Sequence, residues 1–205
     1  MTSGENSKYS SIMCNLLAHE RDLLPWFTKV KSILDDTGLS YIWNQLPSSR
    51  PPPDMLSNQV TQILQDQFVQ TWRAQIDESE KAMNYKIFKQ NFKQEKYFSL
   101  LPTSSIIQFM KFRTCNHKLA IETGRYNNTP RRDRRCNLCN SDTLGDEYHF
   151  LFECRILQNV RKKFLKQQYQ QSPNTLKFEQ LMQSTDYNEL VNLIKFIKQG
   201  MALIK

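Results

Sequence analysis

Glycine is scarce in this chain, 5 residues in 205, while Gln, Asn and Lys are plentiful, and that balance favours helices over turn-rich architectures. No stretch is apolar for long enough to cross a bilayer. The opening residues, Met1 to Ser11, are polar and lack the apolar core of a signal peptide, so the expected location is intracellular, cytoplasm or nucleus, with no membrane partner. The 5 cysteines do not form a simple paired layout, which is a poor framework for disulfides in a chain without an export signal. Internal repeats and low-complexity tracts are missing too, apart from the general Gln richness.

Catalytic constellations are also absent. A two-metal polymerase needs an acidic pair on a hairpin; the only adjacent aspartates, Asp35 and Asp36, follow Ile33-Leu34 and lie too near the start for a palm to precede them. A restriction-type nuclease needs an acid two residues before a lysine, and no Asp or Glu stands there. With 3 histidines, one of them assigned below to a metal, no base is left for a nucleophilic triad. The expectation is a non-enzyme with no small-molecule substrate.

What is present is globular: 39% hydrophobic, 11% aromatic, and a formal charge of +8 that favours acidic partners, nucleic acid first. Leu24-Pro25 and Asp36-Thr37-Gly38 break the first segment into short helices, on one of which Trp26, Val30, Ile33 and Leu34 share a face. The run Ser48-Ser49-Arg50-Pro51-Pro52-Pro53 cannot continue a helix and reads as a stiff linker. Asp54 then caps a long helix in which Leu56, Val60, Ile63, Leu64, Phe68, Trp72 and Ile76 recur at helical steps. Tyr85, Phe88, Phe92 and Tyr97 mark another, ending at Pro102, and Thr103 opens a third with Ile106, Ile107, Phe109 and Met110. Beyond an irregular stretch, Leu157, Val160 and Phe164 mark one helix, and Leu190, Leu193, Ile194, Ile197 and Met201 a closing one. These aromatic stripes read as packing core rather than base-stacking platforms. The expected organisation is an N-terminal helical connector (1–47), a Pro-rich linker (48–53), a helical region (54–115), a basic loop with a zinc module (116–155) and C-terminal helices (156–205).

The most specific signal is C-x2-C-x9-H-x4-C, formed by Cys136, Cys139, His149 and Cys154. Two cysteines separated by two residues can wrap a turn around an ion with both thiolates inward, and four N/S ligands close a tetrahedral zinc shell with no position open to substrate. Thiolates exclude magnesium and calcium, so one structural Zn2+ is expected. Asp146 is placed to cap a short helix, Glu147 to Phe152, carrying His149. Five ideal helical residues turn about 500 degrees, so Cys154 must bind where that helix ends or loosens. The competing reading is four unconnected residues. His19 and His117 are alternative ligands by type, and Cys14 and Cys115 read as free, buried thiols.

Between Gly124 and Arg135 lie Arg125, Arg131, Arg132, Arg134 and Arg135 against one acid, Asp133, a net +4 that is half the charge of the chain. Arginine's planar fork donates two parallel hydrogen bonds to phosphate, so this loop, with Lys118 nearby, is the first choice for a nucleic-acid contact. A blander account has these arginines neutralising the negative zinc–thiolate shell and pairing with Glu122, Asp146 or Glu147.

The stretch Phe112-Arg113-Thr114-Cys115-Asn116-His117-Lys118-Leu119-Ala120-Ile121-Glu122-Thr123-Gly124-Arg125-Tyr126, with Cys136-x2-Cys139 and Gly145-Asp146-Glu147-Tyr148-His149-Phe150-Leu151-Phe152-Glu153-Cys154, resembles the C-terminal region of reverse transcriptases from animal non-LTR, LINE-like retrotransposons. Trp26, Val30, Leu34, Gly38, Leu39 and Trp43 resemble the connector that follows the polymerase in that family. The resemblance implies a zinc-binding, post-polymerase segment without polymerase or endonuclease modules, engaging RNA or DNA through Arg113, His117, Arg125 and the Arg131 to Arg135 group. The expectation is a mostly α, bundle-like protein with an embedded Cys3His zinc module that binds nucleic acid. A structural or protein-interaction module, or a transposon relic without function, is the other reading.

Overall fold

The computed structural model describes residues 25–45, 49, 51–139 and 141–204. It is mostly α, and among the described residues the only extended pairing is an isolated antiparallel bridge between Arg135 and Leu144. The chain divides into two compact units, Met1–Thr71 and Trp72–Lys205. The division falls inside a long helix, whereas the prolines of the expected linker lead into that helix, Leu56 N–H donating to the Pro52 carbonyl at 3.0 Å.

In the first unit, α1 (Pro25–Asp36) starts at its proline, where no amide donor is lost. It stops where the left-handed Gly38, φ 72°, lets Leu39 N–H reach back to the Leu34 carbonyl at 2.7 Å. Of the face predicted from Trp26, Val30, Ile33 and Leu34, Leu34 is buried and Ile33 half-buried, whereas Trp26 and Val30 are exposed and Phe27 is buried instead. One residue of helical phase separates the two readings, because Leu34 closes a small cluster with Leu39 and with Ile42 of α2 (Tyr41–Asn44). Leu56, Val60 and Ile63 of α3 (Pro53–Glu78) cover this cluster in part.

The second unit holds the larger core. The single helix expected over Tyr85 to Tyr97 is instead two, α4 (Tyr85–Phe88) and α5 (Tyr97–Leu100), and the cause is Arg113 at the end of α6 (Thr103–Arg113). Its guanidinium is buried, 4.6 Å above the Phe88 ring and 5.2 Å from that of Tyr97, and it donates to the Met182 carbonyl. A buried cation needs a counter-charge, and the segment between α4 and α5 turns back to set Glu95 3.2 Å from it, with Lys89 on the same carboxylate at 2.6 Å.

Downstream, α7 (Ala120–Tyr126) precedes the cysteine hairpin, and α8 (Gln158–Phe164) and α9 (Gln167–Gln170) follow it. The helix α10 (Thr175–Met182), which the sequence reading left out, brings three nearly fully buried residues, Phe178, Leu181 and Met182. The closing helix α11 (Tyr187–Ala202) is capped by Asp186, whose carboxylate accepts from Asn188 N–H at 2.8 Å, and it packs on α6 and α8. Phe112, Phe150 and Phe196 run through this core with ring centroids 5.7 and 5.4 Å apart. Full burial of each such ring stabilises by roughly 1.5–3 kcal/mol. Phe150 follows His149 directly, so the core anchors the segment that carries two of the cysteine hairpin's partners.

Candidate metal centre

Cys136, Cys139, His149 and Cys154 are all buried, and their ligand atoms lie within 4.8 Å of one another. Tetrahedral bonds of about 2.3 Å to sulfur and 2.0 Å to nitrogen set neighbouring donors roughly 3.5–3.8 Å apart, so the group fits a metal ion with little adjustment. His149 Nε2 lies 3.3 Å from Cys139 Sγ.

Each donor has a local cause. The turn bearing Cys136 and Cys139 is closed by the Arg135–Leu144 bridge, with Cys136 N–H donating to the Thr143 carbonyl at 3.1 Å and Gly145 N–H to that of Arg134 at 2.9 Å. Gly145 has no room for a side chain: a Cβ there would stand 2.9 Å from both Ala120 Cβ and Cys136 Cα. Its carbonyl accepts from Ile121 N–H at 3.0 Å, which fastens the hairpin to α7. Asp146 caps the next turn, its carboxylate accepting from His149 N–H at 2.9 Å.

The short helix then widens into a π-turn over His149–Glu153, with Cys154 N–H donating to the His149 carbonyl at 2.8 Å. The wider turn spreads one revolution over more residues, which returns the fifth residue to the side of the first. That is how a spacing that overshoots on an α-helix brings Cys154 to the same point as His149. The widening exposes carbonyls, and buried Arg161 of α8 serves them: Nε donates to Leu151 O at 2.6 Å and Nη2 to Cys154 O at 3.0 Å.

Hydroxyls complete the surroundings. Thr143 Oγ1 lies 3.0 Å from His149 Nδ1, and Glu153 Oε2 lies 3.3 Å from the same nitrogen, so the ring is held with Nε2 toward the sulfurs. Ser141 Oγ is 2.9 Å from Cys139 Sγ and 2.6 Å from Thr143 Oγ1.

The four donors hold protons unevenly. Burial opposes ionisation of Cys139, yet its hydrogen bonds with Ser141, Cys136 and His149 outweigh that and pull it to about 6. Cys136 is lowered in the same way, with His149 as the strongest aid against burial. Burial would also lower His149, but bonding to Cys136 and Cys139 raises it to about 9. Burial, and then the charge of Cys136, pushes Cys154 up to about 12. A divalent ion entering the group displaces protons from it, so capture weakens in acid.

A second cluster, Cys115, His117 and Glu147, also has its donor atoms within 4.8 Å, but they are occupied with one another. Glu147 takes His117 Nε2 at 2.7 Å and Asn84 Nδ2 at 2.5 Å, and burial and then Glu147 push the Cys115 thiol well up. The small cavity beside it mixes four cations, Lys81, Arg125, Arg131 and Arg134, with the carboxylates of Glu80, Glu122 and Glu147, and Glu122 is already paired with Lys81 and Arg125. This cluster is an internal polar lock between the segment before α4 and the metal turn.

Of the basic residues expected to meet nucleic acid, the structure removes several. Arg113 is 3% exposed and serves the core as described. His117 is held by Glu147 with 4% of its side chain exposed. Arg134 is buried, its stem against Gly124, and donates to the carbonyls of Thr129 at 2.8 Å and Ile121 at 3.1 Å. These three roles are corrected: guanidinium and imidazole here satisfy buried carbonyls and a carboxylate. Arg125 is half-buried and grips Glu122 with two hydrogen bonds, 3.2 and 2.7 Å. Exposed cations remain at Arg132, Arg135 and Lys118, and Arg131 is half-buried. Arg132 stands 3.7 Å from Asp133, and Arg135, 3.7 Å from Asp142, also donates to the Asp142 carbonyl. Thr143, Ser141 and Arg161 were missed by the sequence reading; the hydroxyls two and four residues after Cys139 were the available signal.

No protein-family model, no curated protein and no solved structure matches this chain. Among the described residues, no helix is long and apolar enough to cross a membrane.

Proposed function

We propose that the second unit is a zinc-stapled nucleic-acid-binding module in which one Zn2+, held by Cys136, Cys139, His149 and Cys154, fixes the loop that displays Arg131, Arg132 and Arg135. The observation that carries this reading is the meeting of three sulfurs and one imidazole nitrogen within 4.8 Å, with the other imidazole nitrogen tied to Thr143. Zinc is the metal of choice for such a donor set. The arginines flank the first cysteine in sequence, so ordering the hairpin orders them as well. The resemblance to the post-polymerase region of LINE-like reverse transcriptases supports RNA or DNA as the polyanion and binding rather than catalysis as the activity.

The test is a titration of the zinc-loaded protein with labelled single-stranded RNA and duplex DNA across salt concentrations. Three phosphate contacts set a slope of log K against log salt of about −3 on duplex DNA. Replacing Arg131, Arg132 and Arg135 together with Ala should flatten that slope by about 2 to 3, while zinc content stays unchanged. Equal slopes for variant and parent would remove the loop from the interface, and failure to bind either polymer at low salt would remove the function.

A further inference from the structure

Away from the arginine loop, a groove of about 330 Å³ runs between α6, the segment 116–118 and the last turns of α11. Its floor is apolar, formed by Phe112, Ile197 and Met201, and its rim carries Lys111, Lys118 and Lys198. No carboxylate lines it, and among the described residues none of these three lysines is in an ion pair. Three unanswered ammoniums around an apolar trough therefore form a local charge excess whose complement is an anionic chain with an apolar side chain to bury.

Two kinds of polyanion offer that charge, and the floor decides between them. A nucleobase is held by stacking on an exposed ring face, but of the two rings that line the groove Phe112 is 1% exposed and His117 is turned to Glu147, so neither offers an open face. The surface left is largely aliphatic, from Ile197, Met201 and Ala202, with the side-chain amides of Gln108 and Asn116 at its edge to meet a peptide backbone. A trough of this size between two helices accepts one or two large apolar side chains. The geometry points to a docking site for an acidic protein segment that carries a bulky apolar anchor, bound by burial of the anchor between α6 and α11 and by Lys111, Lys118 and Lys198 on its carboxylates. This site is separate from the arginine loop, and neither reading depends on the other.

The experiment uses the full chain and a fluorescein-labelled 14-residue peptide of Glu, Asp and Ser with a single central Phe, followed by fluorescence anisotropy. A second peptide has Ser in place of the Phe, and an unlabelled 14-nucleotide single-stranded DNA serves as competitor. The Phe peptide should bind at least tenfold more tightly than the Ser peptide. The triple variant K111E/K118E/K198E, whose changes are all on exposed side chains, should bind it at least tenfold more weakly with unchanged metal content. Equal binding of the two peptides, no binding of either, or full binding by the variant would overturn the proposal. So would displacement by the oligonucleotide at lower concentration than by unlabelled Phe peptide, which would make the groove a nucleic-acid surface instead.

Discussion

Arg161 gives the sharpest test of how the fold holds the metal turn. Replacing it with Met keeps an unbranched stem in the core and removes the two donors that serve Leu151 O and Cys154 O, both on residues with no exposed surface. Each buried carbonyl left without a partner costs roughly 1–3 kcal/mol. Part of that is offset, since burial already lowers the basicity of this guanidinium and the variant no longer desolvates a charge. The net expectation is a loss of about 3 kcal/mol, a shift of roughly 10 °C in melting temperature for a unit of this size. Cys154 is both ligand and carbonyl partner, so metal affinity should fall by about 10- to 100-fold as well. Thermal denaturation and competition with a zinc chelator read the two effects, and Arg161→Lys, able to serve one carbonyl, should fall between. A Met variant within about 0.5 kcal/mol of the parent, with unchanged metal affinity, would refute the claim that this side chain holds the π-turn in place.

Gly145→Ala forces a methyl to 2.9 Å from Ala120 Cβ and Cys136 Cα, and urea denaturation should register a loss of about 1–3 kcal/mol; no change would mean that the hairpin does not sit so close to α7. Thr143→Val removes the hydroxyl beside His149 Nδ1 and should weaken metal binding about tenfold in chelator competition while leaving the melting temperature nearly unchanged. Arg125 and Lys81 outweigh burial to hold Glu122 below the ordinary glutamate value of 4.5, and His117 does so for Glu147. A depressed acid stabilises fully above its unfolded pKa, so the contribution of these two carboxylates should be level above about 4.5 and fall as the pH drops through the lowered folded values. Denaturation curves at successive pH values should show Glu122→Gln with a shallower acid decline than the parent; identical declines would contradict this assignment.

The metal group was legible because its information is local: cysteine, histidine and cysteine spacings within nineteen residues say which side chains can meet around one ion. Even the misfit of the His149–Cys154 spacing to an α-helix was readable, and the π-turn is its resolution. The closing helix was legible for the same reason, its apolar step pattern running unbroken behind the Asp186 cap. Burial of charge was not legible. Arg113, Arg134 and Arg161 look in sequence like the exposed arginines beside them, and only the fold reveals which carbonyls lack a partner. The same long-range demand, a counter-charge for Arg113, broke an apparently continuous helix between Phe88 and Tyr97. Helix α10 escaped notice because its eight residues give barely two turns of pattern beside Gln-rich neighbours, too short a window for periodicity to declare itself.

Metal content of the purified protein bears most directly on all of this. Elemental analysis with native mass spectrometry should find one zinc per chain, lost in both Cys136→Ser and Cys154→Ser. A parent protein that takes up no zinc, or two variants that retain it in full, would contradict the account.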